Sequence, residues 1–465
     1  MSGKKTDILL KNALVVLESG AVKANLAVKD GKTAGILDPS VEVEADEIRD
    51  LNGKIIFPGL IDTHAHYWEP GPFNYREDFY HATRVCAAGG ITTTIEMPLS
   101  VPPVVDKKTF EMKYEIAKKN SVVDFALWGG LIPTSVDQIE EMNEIGCCAF
   151  KAFISFASPE YPRIPDHDLC RAMEITSKFG GLIGVHAENA EIVDDFCRRK
   201  EAEGIRQPSR YHEGRPPFSE LEAIERATLF ARQYNARVLI CHMSAVEGFE
   251  ATNRERACGR PVYTETCPHY LAFDNTKMDE IGPFAKCNPP LRPAENREKL
   301  WEHIRCGDID VIGTDHGPYS KEEKAAASDN IWQALCGFGG ADMDLPVLLT
   351  EGYHKRGITL ERIAKISSIN AARIFGLKSK GAIEVGNDAD YAIVDLNSEW
   401  VYDGMKTFSK TKLDCGPYQG YRAKGRILET MVRGKTVYRD GEIKVDSGYG
   451  KFISGTKMPK GCEKE

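Results

Sequence analysis

The length, charge and cysteine content of the chain exclude several classes of protein. Its 465 residues predict a large catalytic domain with a smaller companion, and a formal charge of −9 without a basic stripe excludes nucleic acid or an acidic membrane surface as a partner. No stretch approaches the ~20 apolar residues of a spanning helix, the first residues lack the apolar core of a secretory signal, and the 13 cysteines are scattered without a C-x-x-C pair. We therefore expect a cytoplasmic protein that acts on a small molecule.

The first part of the chain has the pattern of small strands and turns. Short, alternating apolar stretches occupy residues 8–50 and are interrupted by Gly20 and Gly31. Such strands are too short to bury a core alone, so we expect them to pair with strands from elsewhere in the chain.

The middle of the chain alternates β-like runs with longer helical patterns, which is typical of a parallel βα architecture. Helical patterns include residues 106–119, 165–179, 219–235 and 293–304. The eight β-like runs cover residues 56–61, 92–97, 125–128, 149–154, 182–186, 238–242, 262–266 and 311–315. Eight strand-helix units predict a (β/α)8 TIM barrel, of the α/β class, over residues 56–383.

The last part of the chain resembles the first. Residues 389–395, 427–432 and 436–438 form short strand-like runs, and Asp440-Gly441 is a hairpin turn sequence. We predict that residues 1–55 and 384–452 form one small β-sandwich domain built from both termini. The chain after Asp446 is polar and is expected to be loosely ordered, ending in a tail at residues 453–465.

Histidines stand where several of the predicted barrel strands end. His64 and His66 lie two residues apart on an extended segment, so both imidazoles point the same way and could bind one metal ion. His186 and His242 each close a later strand. The alternatives are an ordinary loop for the first pair and hydrogen-bonded core histidines for the other two. Because strand ends converge on one face of a barrel, their joint placement favours a metal site.

Two further side chains carry chemistry. Lys151 lies inside an apolar strand, where an ammonium group would be costly to desolvate. It is either paired with a carboxylate or converted by carbon dioxide into a carbamate that bridges two metal ions. Asp315 ends the last run and is either a metal ligand and general base or the N-cap of a helix. His316, which follows it, has no assigned role. Zinc suits an imidazole-rich ligand set, and manganese, cobalt or iron are alternatives.

These motifs resemble the amidohydrolase superfamily, and within it the cyclic amidases: dihydroorotases, hydantoinases or dihydropyrimidinases, and allantoinases. The resemblance spans nearly the whole chain and rests on 58–66 (PGLIDTHAH), the strand around Lys151, 186–189 (HAEN), 241–244 (CHMS), 266–271 (TCPHYL), 286–292 (KCNPPLR) and 313–316 (GTDH). It implies two divalent metal ions, one held by His64, His66 and Asp315 and the other by His186 and His242. It further implies that Lys151 is the carbamylated bridge (N6-carboxylysine), that Asp315 is catalytic, and that the protein is a homotetramer.

The branch is indicated by departures from the family pattern. Dihydroorotases carry an arginine where this chain has Trp68, and hydantoinases carry a tyrosine where it has Phe156. Residues 69–71, 89–94, 96–99 and 345–352 resemble allantoinases, so we expect opening of allantoin to allantoate, a step of purine catabolism. Hydantoins or dihydropyrimidines are alternative substrates, and a catalytically decayed scaffold is a further alternative. Asn288 resembles the loop residue that holds the ring amide, or is simply a turn before two prolines. With Trp68 and Phe156 it completes the predicted substrate site.

Overall fold

The computed structural model of the protein describes residues 5–455, and it begins with five strands of a β-domain. They are β1 (Thr6–Leu17), β2 (Gly20–Lys29), β3 (Lys32–Leu37), β4 (Ala45–Asp50) and β5 (Ile55–Pro58). Strand β1 pairs antiparallel with β2 and parallel with β4 and β5. The turn between β2 and β3 needs Gly31, because its φ is +74° and a Cβ atom would lie 2.9 Å from the Arg433 carbonyl oxygen.

The next eight strands form a parallel barrel, as predicted. They are β6 (Leu60–Ala65), β7 (Ile91–Glu96), β8 (Asp124–Leu131), β9 (Ala149–Phe153), β10 (Leu182–His186), β11 (Arg237–Ile240), β12 (Val262–Thr266) and β13 (Val311–Ile312). Each strand pairs with the next one along the chain. The ring is closed between its last and first strands, where the Thr314 amide donates to Asp62 (2.9 Å) and the Asp315 amide donates to the His64 carbonyl (2.8 Å).

The first predicted barrel run, residues 56–61, is divided between two sheets, which corrects the prediction of one strand. Strand β5 belongs to the terminal β-domain, and only β6 belongs to the barrel. Gly59 stands between them, and a Cβ atom there would lie 2.2 Å from Thr92 Oγ1. The chain passes from one sheet to the other at this point because glycine alone fits against Thr92.

Helices cover the outside of the barrel and connect its strands. The described α-helices are α1 (Phe79–Ala88), α2 (Lys107–Asn120), α3 (Ile139–Glu144), α4 (Asp166–Ser177), α5 (Ala190–Ala202), α6 (Pro217–Tyr234), α7 (Gly248–Ala257), α8 (Pro268–Ala272), α9 (Lys277–Ile281), α10 (Ala294–Cys306), α11 (Lys321–Ala325), α12 (Asp344–Val347), α13 (Leu360–Ala364) and α14 (Asn370–Phe375). The four predicted helices correspond to α2, α4, α6 and α10. In α2 the Asp106 side chain accepts from the Thr109 amide and so caps the helix start. No helix within residues 5–455 has the length and apolar character needed to cross a bilayer.

Four C-terminal strands complete the terminal β-domain. They are β14 (Tyr391–Val401), β15 (Arg422–Val432), β16 (Lys435–Arg439) and β17 (Glu442–Ile443). Strand β14 pairs antiparallel with β5, which gives a sheet order of β17-β16-β15-β14-β5-β1-β2-β3, with β4 on β1. Apolar side chains of both ends, including Leu26 of β2 and Tyr391 of β14, share one core. The predicted β-domain from both termini and the Asp440-Gly441 hairpin turn are confirmed.

The segment after Asp446 differs from the expected loose order as far as the structure describes it. The Phe125 amide donates to the Lys451 carbonyl (2.9 Å), and the Ile453 amide donates to the Phe125 carbonyl (2.8 Å). The Phe452 ring packs against Phe110 and Tyr114. These contacts hold the otherwise polar segment against the start of β8. Residues 456–465 lie outside the described residues.

Candidate active site

The six predicted metal-site residues lie at the carboxyl ends of the barrel strands. His64 belongs to β6 and His66 follows it; Lys151 lies in β9, His186 ends β10, His242 follows β11 and Asp315 follows β13. Together with Trp68 and Asn288, all of them except Lys151 line one cavity. The closed barrel therefore brings together residues that are up to 251 positions apart in the sequence (315 − 64).

His64, His66 and Asp315 form the first half of the cluster. The Nε2 atoms of His64 and His66 lie 3.5 Å and 3.2 Å from the same carboxylate oxygen of Asp315. The donor atoms of the three residues are within 4.8 Å of one another, which is a geometry that could hold a metal ion. Asp315 adopts a positive φ of 50°, a strained conformation for a residue with a Cβ atom.

His186 and His242 form the second half. His186 Nδ1 and His242 Nε2 face each other at 3.1 Å, and their rings lie 4.6 Å apart. The His242 ring is also 5.1 Å from that of His64, so the two halves are continuous. Two facing imidazole nitrogens offer at least one lone pair to a cation between them.

Burial keeps the histidines of the cluster neutral. Desolvation, followed by the nearby Lys151 amine, lowers the pKa of His64 and of His242 well below the ordinary value. Burial opposes ionisation of Asp315, but the hydrogen bond from His66 and the proximity of His64 outweigh it and lower the pKa of this carboxyl. Neutral imidazoles and an ionised carboxylate are the protonation states that bind divalent metals.

Lys151 is the unusual member of the cluster. It is fully buried, and its amine has no hydrogen-bond partner and no ion-paired carboxylate among residues 5–455. The thiol of Cys241 lies beside it, but burial raises the pKa of that thiol to about 12, so it supplies no negative charge. The sequence left two interpretations of Lys151 open, and one of them was an ion pair with a carboxylate. The described part of the chain contains no such partner.

The predicted substrate residues form part of the cavity wall. Trp68 is fixed by a bond from its Nε1 to the Pro318 carbonyl (3.1 Å) and by Arg76, whose guanidinium lies 4.8 Å from the ring. Phe156 is 64% exposed at the mouth of the cavity, and Asn288 lies on the cavity wall. Leu99, Phe153 and Ala157 line the cavity together with Phe156, so part of the wall is apolar.

The chain is similar to known proteins in both sequence and fold. The sequence model described as the amidohydrolase family matches residues 55–437. The chain belongs to that family. It is 39% identical over 450 residues to an allantoinase of Rubrobacter xylanophilus, and the aligned region covers 96% of this chain and 97% of that protein. An Escherichia coli K12 allantoinase is 36% identical over 438 residues, covering 93% and 95%. The solved L-hydantoinase (dihydropyrimidinase) of Arthrobacter aurescens matches with a TM-score of 0.94 and 34% identity, covering 97% of this chain and 100% of that one.

Membership in the amidohydrolase family makes this protein an enzyme, specifically a hydrolase. The predicted resemblance to this family is confirmed, and so is the predicted barrel with its terminal β-domain. The assignment of individual ligands and of substrate contacts stays a prediction.

Three residues that support the cluster were missed by the sequence analysis. Glu265 of β12 accepts hydrogen bonds from Thr63 Oγ1 (2.6 Å), His64 Nδ1 (2.7 Å) and the His242 amide (3.1 Å). Glu188 accepts from His186 (2.8 Å), and Arg215 binds Glu188 through two nitrogens. A carboxylate inside the predicted strand 262–266 was the available sign of Glu265, whereas nothing in the sequence links Arg215 to Glu188.

His316, which had no predicted role, supports the backbone. Its Nδ1 accepts from the amides of Gly340 and Ala341 (3.1 and 3.3 Å), which leaves the proton on Nε2. That nitrogen faces the Glu77 carboxylate at 3.3 Å. His316 therefore ties the loop after β13 to two other loops and does not line the cavity together with His66 and Asp315.

Proposed function

We propose that the protein is a binuclear metal-dependent hydrolase that opens a cyclic amide, with allantoin, opened to allantoate, as the first candidate substrate. The two allantoinases to which the chain is similar over more than nine-tenths of its length support this substrate. The observation that carries the proposal is the buried Lys151 amine, which has no hydrogen-bond partner within residues 5–455 and lies beside four imidazoles whose pKa values are lowered by burial.

The donor set fits a carbamate at Lys151. The neutral amine would add to the carbon of carbon dioxide and lose a proton, which forms an N–C bond and leaves one negative charge. Lys151 would then supply two oxygens and the charge that the neutral histidines lack. An ammonium group at the same place would repel the cations that the site is proposed to bind.

In this proposal His64, His66 and Asp315 hold one divalent ion, His186 and His242 hold the other, and carbamylated Lys151 bridges them. Zinc is the expected metal, with manganese, cobalt or iron as alternatives. Such ions supply Lewis-acid chemistry, which activates water as a nucleophile at neutral pH and polarises a carbonyl group.

Asp315 performs the proton transfers in the proposed reaction. Its carboxylate accepts a proton from the attacking water and gives it to the ring nitrogen as the carbon–nitrogen bond breaks. The products are a carboxyl group and an amide or urea nitrogen in one open chain, so no other reactant is needed. The hydrogen bond from His66 lowers the pKa of Asp315, so its carboxylate is ionised at neutral pH.

Hydantoins are the second candidate substrates, and one feature of the cavity favours them. Leu99, Phe153, Phe156 and Ala157 provide an apolar surface next to the cluster. This surface suits an alkyl or aryl substituent on the ring better than the polar ureido group of allantoin. The similarity to L-hydantoinase supports the same candidate.

The test is ring opening by metal-loaded enzyme with allantoin, hydantoin, a 5-aryl hydantoin, dihydrouracil and dihydroorotate in parallel. We expect the highest kcat/KM with allantoin. A higher kcat/KM with the 5-aryl hydantoin would move the specificity to the second candidate. No turnover of any ring would contradict the proposed function and favour the decayed-scaffold alternative.

We also propose that the enzyme is a cytoplasmic homotetramer, as the family resemblance implies. Sedimentation analysis of the purified full-length chain should give a mass of about four times 51.6 kDa. A monomer mass at micromolar concentration would contradict the assembly.

A further inference from the structure

We propose that Tyr211 is a positioning residue that turns the amide nitrogen of Asn288 toward the substrate, so that the site selects a ring carbonyl oxygen in addition to the one attacked. This inference rests on the proposed function, since it concerns how the same cavity recognises a cyclic amide. It gives Tyr211, which the sequence analysis did not single out, a definite role.

The orientation of Asn288 follows from one hydrogen bond. The Tyr211 hydroxyl donates to Asn288 Oδ1 at 2.7 Å. Burial raises the pKa of Tyr211 well above its ordinary value, so the hydroxyl keeps the proton that it donates. Because the amide oxygen is occupied, the Nδ2 group of Asn288 is left to donate two N–H bonds.

Tyr211 is itself held in place by its surroundings. It lies in the short helix Pro208–Gly214 and is only 3% exposed. The Lys286 ammonium lies 4.5 Å from its ring centroid and is anchored by the carbonyls of Ile331 (2.7 Å) and Ala334 (2.6 Å). The hydroxyl therefore has little freedom to release Asn288, which lowers the cost of ordering the amide when a ligand binds.

The position of Asn288 determines what its amide can recognise. It lines the same cavity as His64, His186, His242 and Asp315. The cavity is otherwise lined largely by these residues and by apolar or aromatic side chains. An N–H donor at this place pairs with an acceptor, and the acceptor that allantoin, hydantoins and dihydropyrimidines share besides the attacked carbonyl is the ring carbonyl between two nitrogens. A ring without that oxygen would leave the Asn288 amide unpaired in the complex.

The experiment compares hydantoin with 2-thiohydantoin, in which a weakly accepting sulfur replaces that oxygen. Equilibrium binding is measured by calorimetry in the Asp315→Asn background, so that the result does not depend on turnover. We expect the parent to bind hydantoin about tenfold more tightly than the thio analogue, the equivalent of one hydrogen bond. Adding Tyr211→Phe should bring the ratio close to one, because the freed amide can turn either its oxygen or its nitrogen to the ligand.

Two further variants separate positioning from simple packing. Asn288→Asp keeps an acceptor for Tyr211 but has no N–H, so it should also lose the oxygen preference. Tyr391→Phe removes a buried hydroxyl bonded to Thr33 in the terminal β-domain (2.7 Å) and should retain the full preference. An unchanged ratio in Tyr211→Phe, or a parent that binds neither ring, overturns the inference. If the wild-type enzyme opens no ring while the binding preference is intact, the proposed function fails and the inference stands.

Discussion

Glu265 shows how a single residue organises both halves of the candidate metal site. Its carboxylate reaches His64 through Nδ1 and His242 through the backbone amide, and both contacts are completely buried. The bond to Nδ1 fixes the ring of His64 so that Nε2 points to Asp315. A carboxylate behind a metal-binding histidine raises the basicity of the ring and orients it.

Glu265→Gln should weaken metal binding. Glutamine keeps the size of the side chain but replaces one accepting oxygen with an amide nitrogen, so a donor among Thr63, His64 and His242 loses its acceptor and we expect a roughly 10–100-fold lower metal affinity. The measurement is competition with a chelating dye at neutral pH. Glu429→Gln, which alters a carboxylate paired with Arg49 and Arg439 in the terminal β-domain, is the matched control and should leave the affinity unchanged. Equal affinities for Glu265→Gln and the wild type would remove Glu265 from the site.

Lys151→Ala should abolish activity and bound metal in a protein that still folds. The amine has no hydrogen-bond partner, so its removal leaves no other polar group unsatisfied. The free energy of unfolding of the metal-free protein should therefore fall only by the amount that packing of the lysine side chain contributes. Activity should fall by at least about a thousandfold if the bridge is lost.

The control for this variant is Lys380→Met, a second buried lysine. Lys380 pairs with Asp124 and Asp390, so its removal should destabilise the protein by about 3–5 kcal/mol while the folded fraction keeps its metal. A Lys151→Ala enzyme with wild-type activity would contradict the proposed role of the bridge.

The role of a single residue could be predicted from the sequence only where a side chain that can bind a metal ion lies in or just after a predicted strand. Four of the six proposed ligands stand in predicted strands and the other two, His64 and His66, follow one, so barrel geometry alone was enough to bring them together. Glu188, Arg215 and Tyr211 act through partners chosen by loop conformation, which a sequence pattern does not fix. The lack of a carboxylate partner for Lys151 could be recognised only from the three-dimensional structure, because either a carboxylate or a carbamate was compatible with the sequence.

The segment 331–337 is the element that brings Cys336 and Gly337 to the cavity, and two buried lysines hold it. Lys324 donates to the carbonyls of Leu335 (2.9 Å) and Gly337 (2.7 Å), and Lys286 donates to carbonyls earlier in the segment. Burial lowers the pKa of Lys324 to about 7. The ammonium group is thus held near the cavity by backbone carbonyls and without a carboxylate partner in the described chain.

The stability of the protein should depend on pH through Lys324. Its pKa is about 7 in the folded state and near the ordinary 10.5 in the unfolded state. Between these values the unfolded state binds more protons, so this residue makes the free energy of unfolding rise with pH, by at most about 1.4 kcal/mol per pH unit. Lys324→Met should lack this contribution when denaturant unfolding is measured from pH 7 to pH 10.

Lys321→Met is the matched control for that comparison. Lys321 lies on the same short helix but is exposed, with Asp414 as its partner, so its loss should leave the pH slope close to that of the wild type. If the free energy of unfolding of Lys324→Met and of the wild type depends on pH in the same way, Lys324 is charged throughout this range. That result would contradict a lowered pKa for Lys324.

At the scale of the whole molecule, the barrel and the terminal β-domain were predictable and their junctions were not. Eight runs separated by helical patterns predict a barrel, and similar runs at both ends predict a shared β-domain. The division at Gly59 was missed because β5 and β6 form one continuous apolar run. The order of residues 449–453 was missed because a few side chains, chiefly Phe452, outweigh the polar composition around them. The exact domain boundaries stay a prediction.

The metal ions should also stabilise the whole molecule. Six residues in or just after five of the eight barrel strands converge on the proposed site, so bound ions would connect most of the barrel, and a ligand that binds only the folded state raises its stability. Dialysis against a chelator should lower the Tm and remove activity, and zinc should restore both. The calcium-loaded chelator serves as the control for effects of the chelator itself. Full activity after the removal of all divalent metal would contradict a metal-dependent mechanism.

The most direct test of the binuclear site is the metal content of the active enzyme, measured by plasma mass spectrometry on the purified wild type beside Lys151→Ala. We predict two divalent ions per wild-type chain, and a loss of both ions together with activity in the variant. One ion or none per chain in a fully active wild-type enzyme, or an unchanged metal content in Lys151→Ala, would contradict the proposed site.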